Sequence, residues 1–441
     1  MQVHMHRRLT SLLIIAAMLL TGTAFTAGAV TAQDGEPVEL RVWDQYTESS
    51  VSPTVDAVYA AFMEANPNIT IVREAVSAEQ MAQTVSTALA SGTGPDVILY
   101  DAGPATGGLL AEAGLLLPLE DYAAQYGWVE RFAPSAIEGT TIDGTLYGLP
   151  FTTDLIGMYF NQTLLDQEGL AVPTTLDEML AFCATATERG YIPIAFGNNP
   201  GWEAFHQFSM TSNQMLGPEA MRALLFENEG SWDSPKIVTA IEAFFVTMRD
   251  AGCFSADANA ISYDDGNALF FSGQSLLHTT GSWMVGDILE AMPDSDIGFM
   301  PFPLIQEGNE PVWVAGVGGA WFIAANSPNQ DAAATLIDFF YAPESVSTWI
   351  SGNRFVIPLT EVDLTGIELD PLTTQIYESR AAEGAQFGYS VDVLAPPEFN
   401  EAMQVGFQAM LAGDRTAEEQ AAALQTAWEE GTAAAESTPA P

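Results

Sequence analysis

The feature that most constrains the fold is a regular alternation of strand and helix patterns after residue 37. Apolar and polar residues alternate over 38–42, and apolar residues then recur at helical spacing after Pro53. A strand pattern at 69–72, a helical pattern at 81–89 and a strand pattern at 96–100 follow. Strands that alternate with helices in this way form parallel sheets with right-handed crossovers, and ligands bind beyond the carboxyl ends of such strands. The sequence therefore predicts an α/β fold with a binding site after the first and third strands.

A second α/β pattern begins near residue 150. Thr175 and Glu178 are spaced as a capping box at the start of a helix that ends at Gly190. A strand pattern at 192–196 and a helical pattern at 237–248 follow. Because a chain of 441 residues exceeds the size at which one hydrophobic core stops growing, we expect two lobes.

The first 32 residues have the organisation of a signal peptide. Arg7 and Arg8 precede an apolar run at 12–20, which is too short to span a bilayer, and small residues follow up to Ala32. We expect residues 1–32 to be removed, which disfavours the alternative of a retained anchor. No cysteine lies among the small residues that follow the run, so the expected cleavage site has no residue for lipid attachment. The prediction is an exported, soluble protein of the periplasm or the extracellular space.

The chain is strongly acidic, with 12 basic and 57 acidic residues and a net charge of −45. Removal of residues 1–32 takes away two arginines and no acid. Such a surface repels phosphate backbones and anionic lipids, which argues against nucleic-acid or membrane-surface binding. The acidity fits either a solvated surface in salty surroundings or the attraction of a cationic ligand such as a polyamine, and charge alone does not choose between them.

Cysteine and histidine are scarce. Cys183 and Cys253 either form a disulfide, which export permits, or are buried free thiols. His206 and His278 lie far apart in sequence, without the spacing of metal ligands. We therefore predict no cysteine nucleophile, no cofactor and no histidine-based metal site, while the acidic residues leave open whether a metal is bound elsewhere.

Short segments along nearly the whole chain carry a family resemblance. The chain resembles the maltose-binding-protein-like extracellular sugar-binding proteins of bacterial ABC importers. The matching segments are 62–72 (FMEANPNITIV), 90–97 (ASGTGPDV), 114–119 (GLLLPL), 143–150 (DGTLYGLP), 159–169 (YFNQTLLDQEG), 173–178 (PTTLDE), 271–274 (FSGQ), 281–283 (GSW) and 316–321 (GVGGAW).

The resemblance implies a type II periplasmic-binding-protein fold, in which two α/β lobes are joined by a hinge that the chain crosses three times. The crossings are expected near 151–156, 297–301 and 341–345. One lobe would then comprise 38–152 and 298–343, the other 153–297 and 344–433, with a disordered tail at 434–441. The implied function is that of a monomeric, non-enzymatic binding protein, which captures a sugar by hinge closure and delivers it to permease subunits.

A sugar site needs carboxylates for hydroxyl groups and flat aromatic rings for C–H faces. Asp44, Gln45 and Tyr46 follow the first predicted strand, and Tyr100 and Asp101 belong to the end of the third. We predict ligand contacts among these five residues. The alternatives are that Asp44 caps the next helix and that Tyr100 and Asp101 only end a strand.

The second half of the chain supplies further candidates. The resemblance places Asp154 at the first crossing, where it either contacts ligand or holds the hinge. Trp202 and Glu203 follow a loop rich in Asn, Pro and Gly. The resemblance also places a stacking tryptophan at Trp283, after a glycine that would let a ligand approach the backbone. A buried core tryptophan is the competing interpretation.

Four other residues complete the predicted ligand-binding set. Gly316 and Gly318 interrupt a strand-like run and either keep the cleft wall free of side chains or form a β-bulge. Arg354 either binds ligand or pairs with a surface carboxylate. Phe399 is expected to close the cleft from the C-terminal helical region.

Two other functions use the same residue types. A polyamine or other cationic solute would bind through Asp44, Asp101, Asp154 and Glu203. An exported glycoside hydrolase would need two carboxyl groups at a defined separation across one sugar bond, and the sequence singles out no such pair.

Overall fold

The computed structural model describes residues 36–382 and 384–437. The predicted signal peptide lies outside the described residues. None of the helices described is both long enough and apolar enough to cross a membrane.

The strands belong to two large sheets and one small hairpin. In chain order they are β1 (Val38–Asp44), β2 (Ile69–Ala75), β3 (Val97–Asp101), β4 (Thr141–Ile142), β5 (Thr145–Leu146), β6 (Gly148–Pro150), β7 (Thr153–Asn161), β8 (Ile192–Ala195), β9 (Ser275–Gly281), β10 (Ile297–Met300), β11 (Val312–Val317), β12 (Gly319–Ile323) and β13 (Gln386–Tyr389).

Helices cover both large sheets. In chain order they are α1 (Ser52–Ala65), α2 (Ala78–Ala90), α3 (Leu109–Glu112), α4 (Glu120–Tyr126), α5 (Trp128–Arg131), α6 (Pro134–Glu138), α7 (Gln162–Glu168), α8 (Leu176–Glu188), α9 (Glu203–Leu216), α10 (Pro218–Phe226), α11 (Pro235–Glu242), α12 (Tyr263–Phe271), α13 (Val285–Ala291), α14 (Gln330–Phe340), α15 (Pro343–Asn353), α16 (Pro371–Ala381), α17 (Pro397–Ala412) and α18 (Ala417–Ser437). A π-helical segment at Ala243–Met248 continues α11.

The first sheet has the strand order β2-β1-β3-β12-β6, and its first three strands are parallel, as the sequence predicts. Helix α1 begins at Ser52 with Pro53 in its first turn and buries the predicted residues Val55, Tyr59 and Phe62. Helices α14 and α15 contribute to the same apolar core. These elements form the first lobe.

The second sheet has the order β13-β11-β7-β9-β8, with β10 also paired to β7. Its largest core includes the buried faces of α8, α9 and α17. Thr175 caps α8 as predicted, since its side chain accepts a hydrogen bond from the backbone N–H of Glu178. These elements form the second lobe.

The limits of the lobes differ from the expected ones. Residues 297–317 belong to the second sheet, because β10 and β11 pair with β7. The turn at 341–345 joins two helices of the first lobe, so it is not a crossing. The chain instead crosses at 150–153, at 317–319 and finally between Leu369, which packs on the first core, and Leu372, which packs on the second.

The glycine run at 316–319 is the second of these crossings. Strand β11 ends in one sheet at Val317, and β12 begins in the other at Gly319. Gly318 therefore lies between the lobes, so the interruption is neither a β-bulge nor a plain cleft wall. A methyl group added at Gly318 would lie 1.8 Å from Asp154 Oδ2, so a larger residue there would force the Asp154 carboxylate to move.

The C-terminal helix is longer than expected. A disordered tail was predicted from residue 434, whereas α18 continues to Ser437. The first four residues of the predicted disordered tail are therefore helical, and 438–441 lie outside the described residues.

Cys183 and Cys253 form a disulfide that closes a separation of 70 residues. Cys183 lies in α8, and the carbonyl of Cys253 accepts a hydrogen bond from the backbone N–H of Ile194 in β8. The bridge therefore ties a helix of the second lobe to the neighbourhood of its edge strand.

Replacement of both cysteines by serine should lower the free energy of unfolding by about 4 kcal/mol, because a loop of this length greatly restricts the unfolded chain. Urea unfolding of the oxidised protein and of the double variant measures the difference. A reductant should destabilise the parent protein and leave the variant unchanged. Equal stability of the two oxidised proteins would contradict the predicted role of the bridge.

Candidate functional site

Helix α9 positions the second lobe's half of the candidate site. Residues 203–215 of this helix are all buried, although many are polar. Gln207 donates to Thr279 Oγ1 at 2.9 Å, and Asn213 and Gln214 bond the backbone near Tyr389 and Phe302. These bonds fix α9 against β9 and β13, so the residues at its first turn have a defined position, although Gln207 Oε1 stays buried without a partner.

An aromatic cluster surrounds the start of α9. The ring centroids of Trp202 and Tyr263 are 4.8 Å apart, and His206 lies 5.2 Å from Trp202 and 5.3 Å from Trp283. Trp283 Nε1 donates to the Tyr263 hydroxyl at 2.7 Å. Trp202 and Trp283 are both half-buried, so part of each ring stays available to a ligand. Two predicted tryptophans from distant parts of the chain thus meet in one cluster.

The glycine before Trp283 has a role other than the predicted one. A methyl group added at Gly281 would lie 1.9 Å from the Trp283 ring. Gly281 therefore makes room for that ring, and its backbone is covered by the ring.

Glu203 lies in the same cluster and is only 5% exposed. Both of its carboxylate oxygens are buried without a hydrogen-bond partner. Burial raises the pKa of Glu203 from 4.5 to about 7. The carboxyl lines a small cavity of about 10 Å³, the lower limit for one water molecule, together with Trp202, Tyr263 and the two histidines.

The two histidines of this cavity are neutral at pH 7. Burial lowers the pKa of His206, and it lowers the pKa of His278 to about 4. The ring nitrogens of His278 contact Ala195 O and Asn267 Oδ1 at 3.0 and 2.9 Å. Within residues 36–382 and 384–437, no group of three or more His, Cys, Asp or Glu side chains is arranged to hold a metal ion.

The first lobe supplies Gln45 and Asp101. Gln45 has a buried Nε2 that donates no hydrogen bond of normal geometry. Burial raises the pKa of Asp101 to about 6, and the charge of Asp392, from the second lobe, adds to this shift. Asp392 therefore lies near the end of β3, across the gap between the lobes.

The lobes are in contact along the edge of this gap. Ser49 of the first lobe donates to Glu290 of α13 at 3.2 Å, and Ser50 bonds Asp287 of the same helix. A methyl group added at Gly103 would lie 2.0 Å from the carbonyl oxygen of Val393. The structure therefore has a closed cleft, in which polar groups of both lobes are shielded from solvent.

Asp154 lies at the hinge. Its carboxylate accepts bonds from Thr152 Oγ1 at 3.1 Å and from Ser282 Oγ at 3.4 Å. Burial raises its pKa to about 6. Arg380 lies near enough to oppose that shift, and it forms no ion pair within 4.0 Å in the described part of the chain.

Several predicted residues have other partners. Asp44 is fully buried in an ion pair with Arg73 at 2.7 Å, and Arg354 pairs with Asp370 at 3.2 Å. Phe399 is fully buried in the core of the second lobe. It therefore does not line the cleft.

Three further candidates also pack against other residues of the protein. Tyr46 packs on Phe355 with ring centroids 5.1 Å apart, and Tyr100 is buried in a core of the first lobe. Gly316 faces Ser390, whose Cβ would lie 3.0 Å from an added methyl group. The site that remains from the prediction comprises Gln45, Asp101, Asp154, Trp202, Glu203, Trp283 and Gly318.

Sequence reasoning missed three residues of the site. His206 was considered only as a metal ligand, although it follows Trp202 by four residues, a spacing that places both on one face of a helix. Tyr263 directly follows the cap of α12, and Asp392 lies in a loop. Those two carry no local signal, because only the fold brings them to α9 and β3.

Comparison with known proteins gives the family. Residues 47–346 match the family described as bacterial extracellular solute-binding protein. The chain belongs to this family. The match spans both lobes, and a solute-binding family agrees with the prediction of a binding protein in place of an enzyme.

Individual relatives are distant. The maltotriose-binding protein of Pyrococcus abyssi is 25% identical over 333 residues, which are 74% of this chain and 65% of that protein. A solved chitin oligosaccharide binding protein has a TM-score of 0.79 at 23% identity and covers 90% of this chain and 100% of its own. A structure from work on xylan utilization by Caldanaerobius polysaccharolyticus has the same TM-score and identity, and the match covers 88% of this chain and 99% of that one. The two-lobed fold of this solute-binding protein is thus confirmed.

Replacement of Gly318 by alanine should destabilise the protein by about 1–3 kcal/mol, because the new methyl group collides with Asp154. Urea unfolding measures the effect. In the variant that also carries Asp154→Ala, the second substitution should recover part of the loss. Strictly additive effects in this double-mutant cycle would contradict the contact.

The protein should lose stability as pH rises from about 4.5 to about 7, by up to about 3 kcal/mol through Glu203. The folded state binds the Glu203 proton more tightly than the unfolded state does. The stabilisation from this proton is therefore complete below pH 4.5 and is lost as the pH rises through about 7. Asp101 and Asp154 act in the same direction. Urea unfolding across this range should show a smaller slope for Glu203→Gln than for the parent, and identical slopes would contradict the assignment.

Proposed function

We propose that this protein captures a sugar or oligosaccharide in the cleft between its lobes and delivers it to the permease subunits of an ABC importer. The observation that carries the proposal is the aromatic cluster of Trp202, Tyr263 and Trp283 beside the unpaired carboxylate of Glu203. Aromatic rings match the C–H faces of a sugar, and carboxylates accept its hydroxyl groups.

Names of relatives support the ligand class. The matched proteins include a maltotriose-binding protein, and the similar structures include a chitin oligosaccharide binding protein. An extracellular solute-binding family also supports export of the mature chain to the periplasm or the extracellular space. Both halves of the site come from one chain, which supports a monomer as the working unit.

The mechanism is ligand-stabilised closure. Gln45 and Asp101 lie on one lobe, and the aromatic cluster lies on the other, so a ligand that contacts both sets stabilises the closed arrangement. The ligand shifts the equilibrium between the open and closed forms only by as much as it binds the closed form more tightly. The closed form is the one that the permease would recognise.

Trp283→Ala should weaken saccharide binding at least about tenfold, since it removes a large apolar contact surface. A thermal-shift screen of mono- and oligosaccharides identifies a ligand, and titration calorimetry then compares the variants. Phe226→Ala is the matched control, because Phe226 is 40% exposed on α10, outside the cluster. Unchanged affinity in Trp283→Ala would contradict the proposed site.

A polyamine is the second candidate ligand, favoured by the acids Asp101, Asp154, Glu203 and Asp392 around the cleft. Its binding would weaken steeply with ionic strength, whereas binding of a neutral sugar would not. A thermal shift with spermidine alone, abolished by salt, would replace the sugar proposal by this one.

A further inference from the structure

The carboxylate of Glu203 differs from the other buried carboxylates of the described residues. Asp44 is paired with Arg73, and Asp96 accepts bonds from the Arg41 backbone and from Ser327 Oγ at 2.9 and 2.6 Å. Glu203 is equally buried, yet neither of its oxygens accepts a hydrogen bond of normal geometry, although the backbone N–H groups of Gly201 and Glu203 lie near enough to lower its pKa. An unpaired buried carboxylate costs several kcal/mol, so its partner is expected to come from outside the chain.

We propose that the saccharide selected by this cleft carries a protonated amine, which binds to Glu203. This inference rests on the proposed sugar-binding function and specifies the class of sugar. An ammonium group has three N–H donors and a full positive charge, so one such group can satisfy both oxygens of Glu203. A single sugar hydroxyl has one donor, so two hydroxyls are needed to pair both oxygens, and they leave the negative charge without a counter-charge.

The charge around Glu203 also favours a cation. The cavity that it lines contains two histidines and no lysine or arginine, and both histidines are kept neutral by burial. The other ionised groups near this end of the cleft are acidic. The charge of Glu79, on the first lobe, raises the pKa of Glu203, and the charge of Asp392 reaches both His206 and Asp101. A bound ammonium group offsets this excess of negative charge.

The aromatic rings distinguish an amino sugar from a flexible polyamine. Trp202 and Trp283 present half-buried rings, and Tyr263, which lines the cavity with Trp202 and Glu203, bonds Trp283 and packs on Trp202. Such rings stack on the C–H face of a sugar, and they also attract an adjacent cation. A ring-shaped ligand with one amine therefore uses both the stacking faces and the charge, whereas a linear polyamine has no sugar C–H face to stack.

Titration calorimetry with matched neutral and amino saccharides tests the inference. The monosaccharide pairs are galactose with galactosamine and glucose with glucosamine. The oligosaccharide pairs are cellobiose with the glucosamine disaccharide and cellotriose with the glucosamine trisaccharide. The amino member of the bound pair should bind at least about tenfold more tightly at low salt, since a hydrogen bond to a charged group contributes about 1.5–3 kcal/mol. Its affinity should fall with added sodium chloride, and that of the neutral member should not.

Glu203→Gln should abolish the preference for the amino member, so that the two members of the bound pair have similar affinities. Glu229→Gln, which removes an exposed acid from outside the cleft, is the control and should keep the preference. Equal affinity within every pair would overturn the inference while the sugar-binding function stands. Absence of binding by every saccharide would overturn both, as would binding of spermidine alone. If Glu203→Gln does not fold, the parent protein alone still tests the inference. An affinity for the amino member that does not change with added sodium chloride would contradict it.

Discussion

The structure depends on a short run of extended backbone at 151–153, where three parts of the chain meet between the lobes. Phe151 N donates to Gly319 O at 2.8 Å, Gly318 N donates to Thr152 O at 3.2 Å, and Thr153 N donates to Val356 O at 2.8 Å. These bonds join the end of the first sheet to the beginning of the second. Because they run between extended segments, small changes of backbone angle there can move one lobe relative to the other without loss of either core.

The same hinge lies next to residues of the candidate site. Asp154 follows the central segment directly, and its carboxylate fills the space beside Gly318 while Ser282 bonds it from the residue before Trp283. Asp101 ends the strand that pairs with β12, so the first lobe's carboxylate is likewise only a few residues from a crossing. The two halves of the site are therefore held by elements that begin or end at the hinge. In the closed state the polar groups of both halves are buried with unpaired atoms, and a ligand that pairs them stabilises that state.

Much of the fold could be predicted from the sequence, because local patterns determine it. The strands and helices of residues 38–101, the capped helix α8 and the strand after it all follow from apolar periodicity and capping residues. The lobe boundaries at 297–301 and 341–345 could not be predicted, because strand pairing across 136 or more residues decides which sheet β10 and β11 join. Helix α9 was missed because its buried face is rich in amides and hydroxyls, which apolar periodicity does not detect.

The candidate site was predictable only in part, for a related reason. Trp202, Glu203 and Trp283 were identified from residue type and family resemblance, and they do lie together. Asp44 and Arg354 looked similar in sequence, yet each has an ion-pair partner, Arg73 and Asp370, that only the fold brings near. Tyr263 and Asp392 reach the site through long-range packing. Residue type thus predicts which chemistry is present, while tertiary contacts decide which of those groups remain free for a ligand.

The central claim is that a ligand between the lobes stabilises the closed arrangement. Small-angle X-ray scattering of the protein with and without the saccharide found by thermal shift tests it most directly. The account predicts a smaller radius of gyration with the ligand, and no such compaction in Trp283→Ala at the same ligand concentration. An identical radius of gyration for the free and the fully bound parent protein would contradict it.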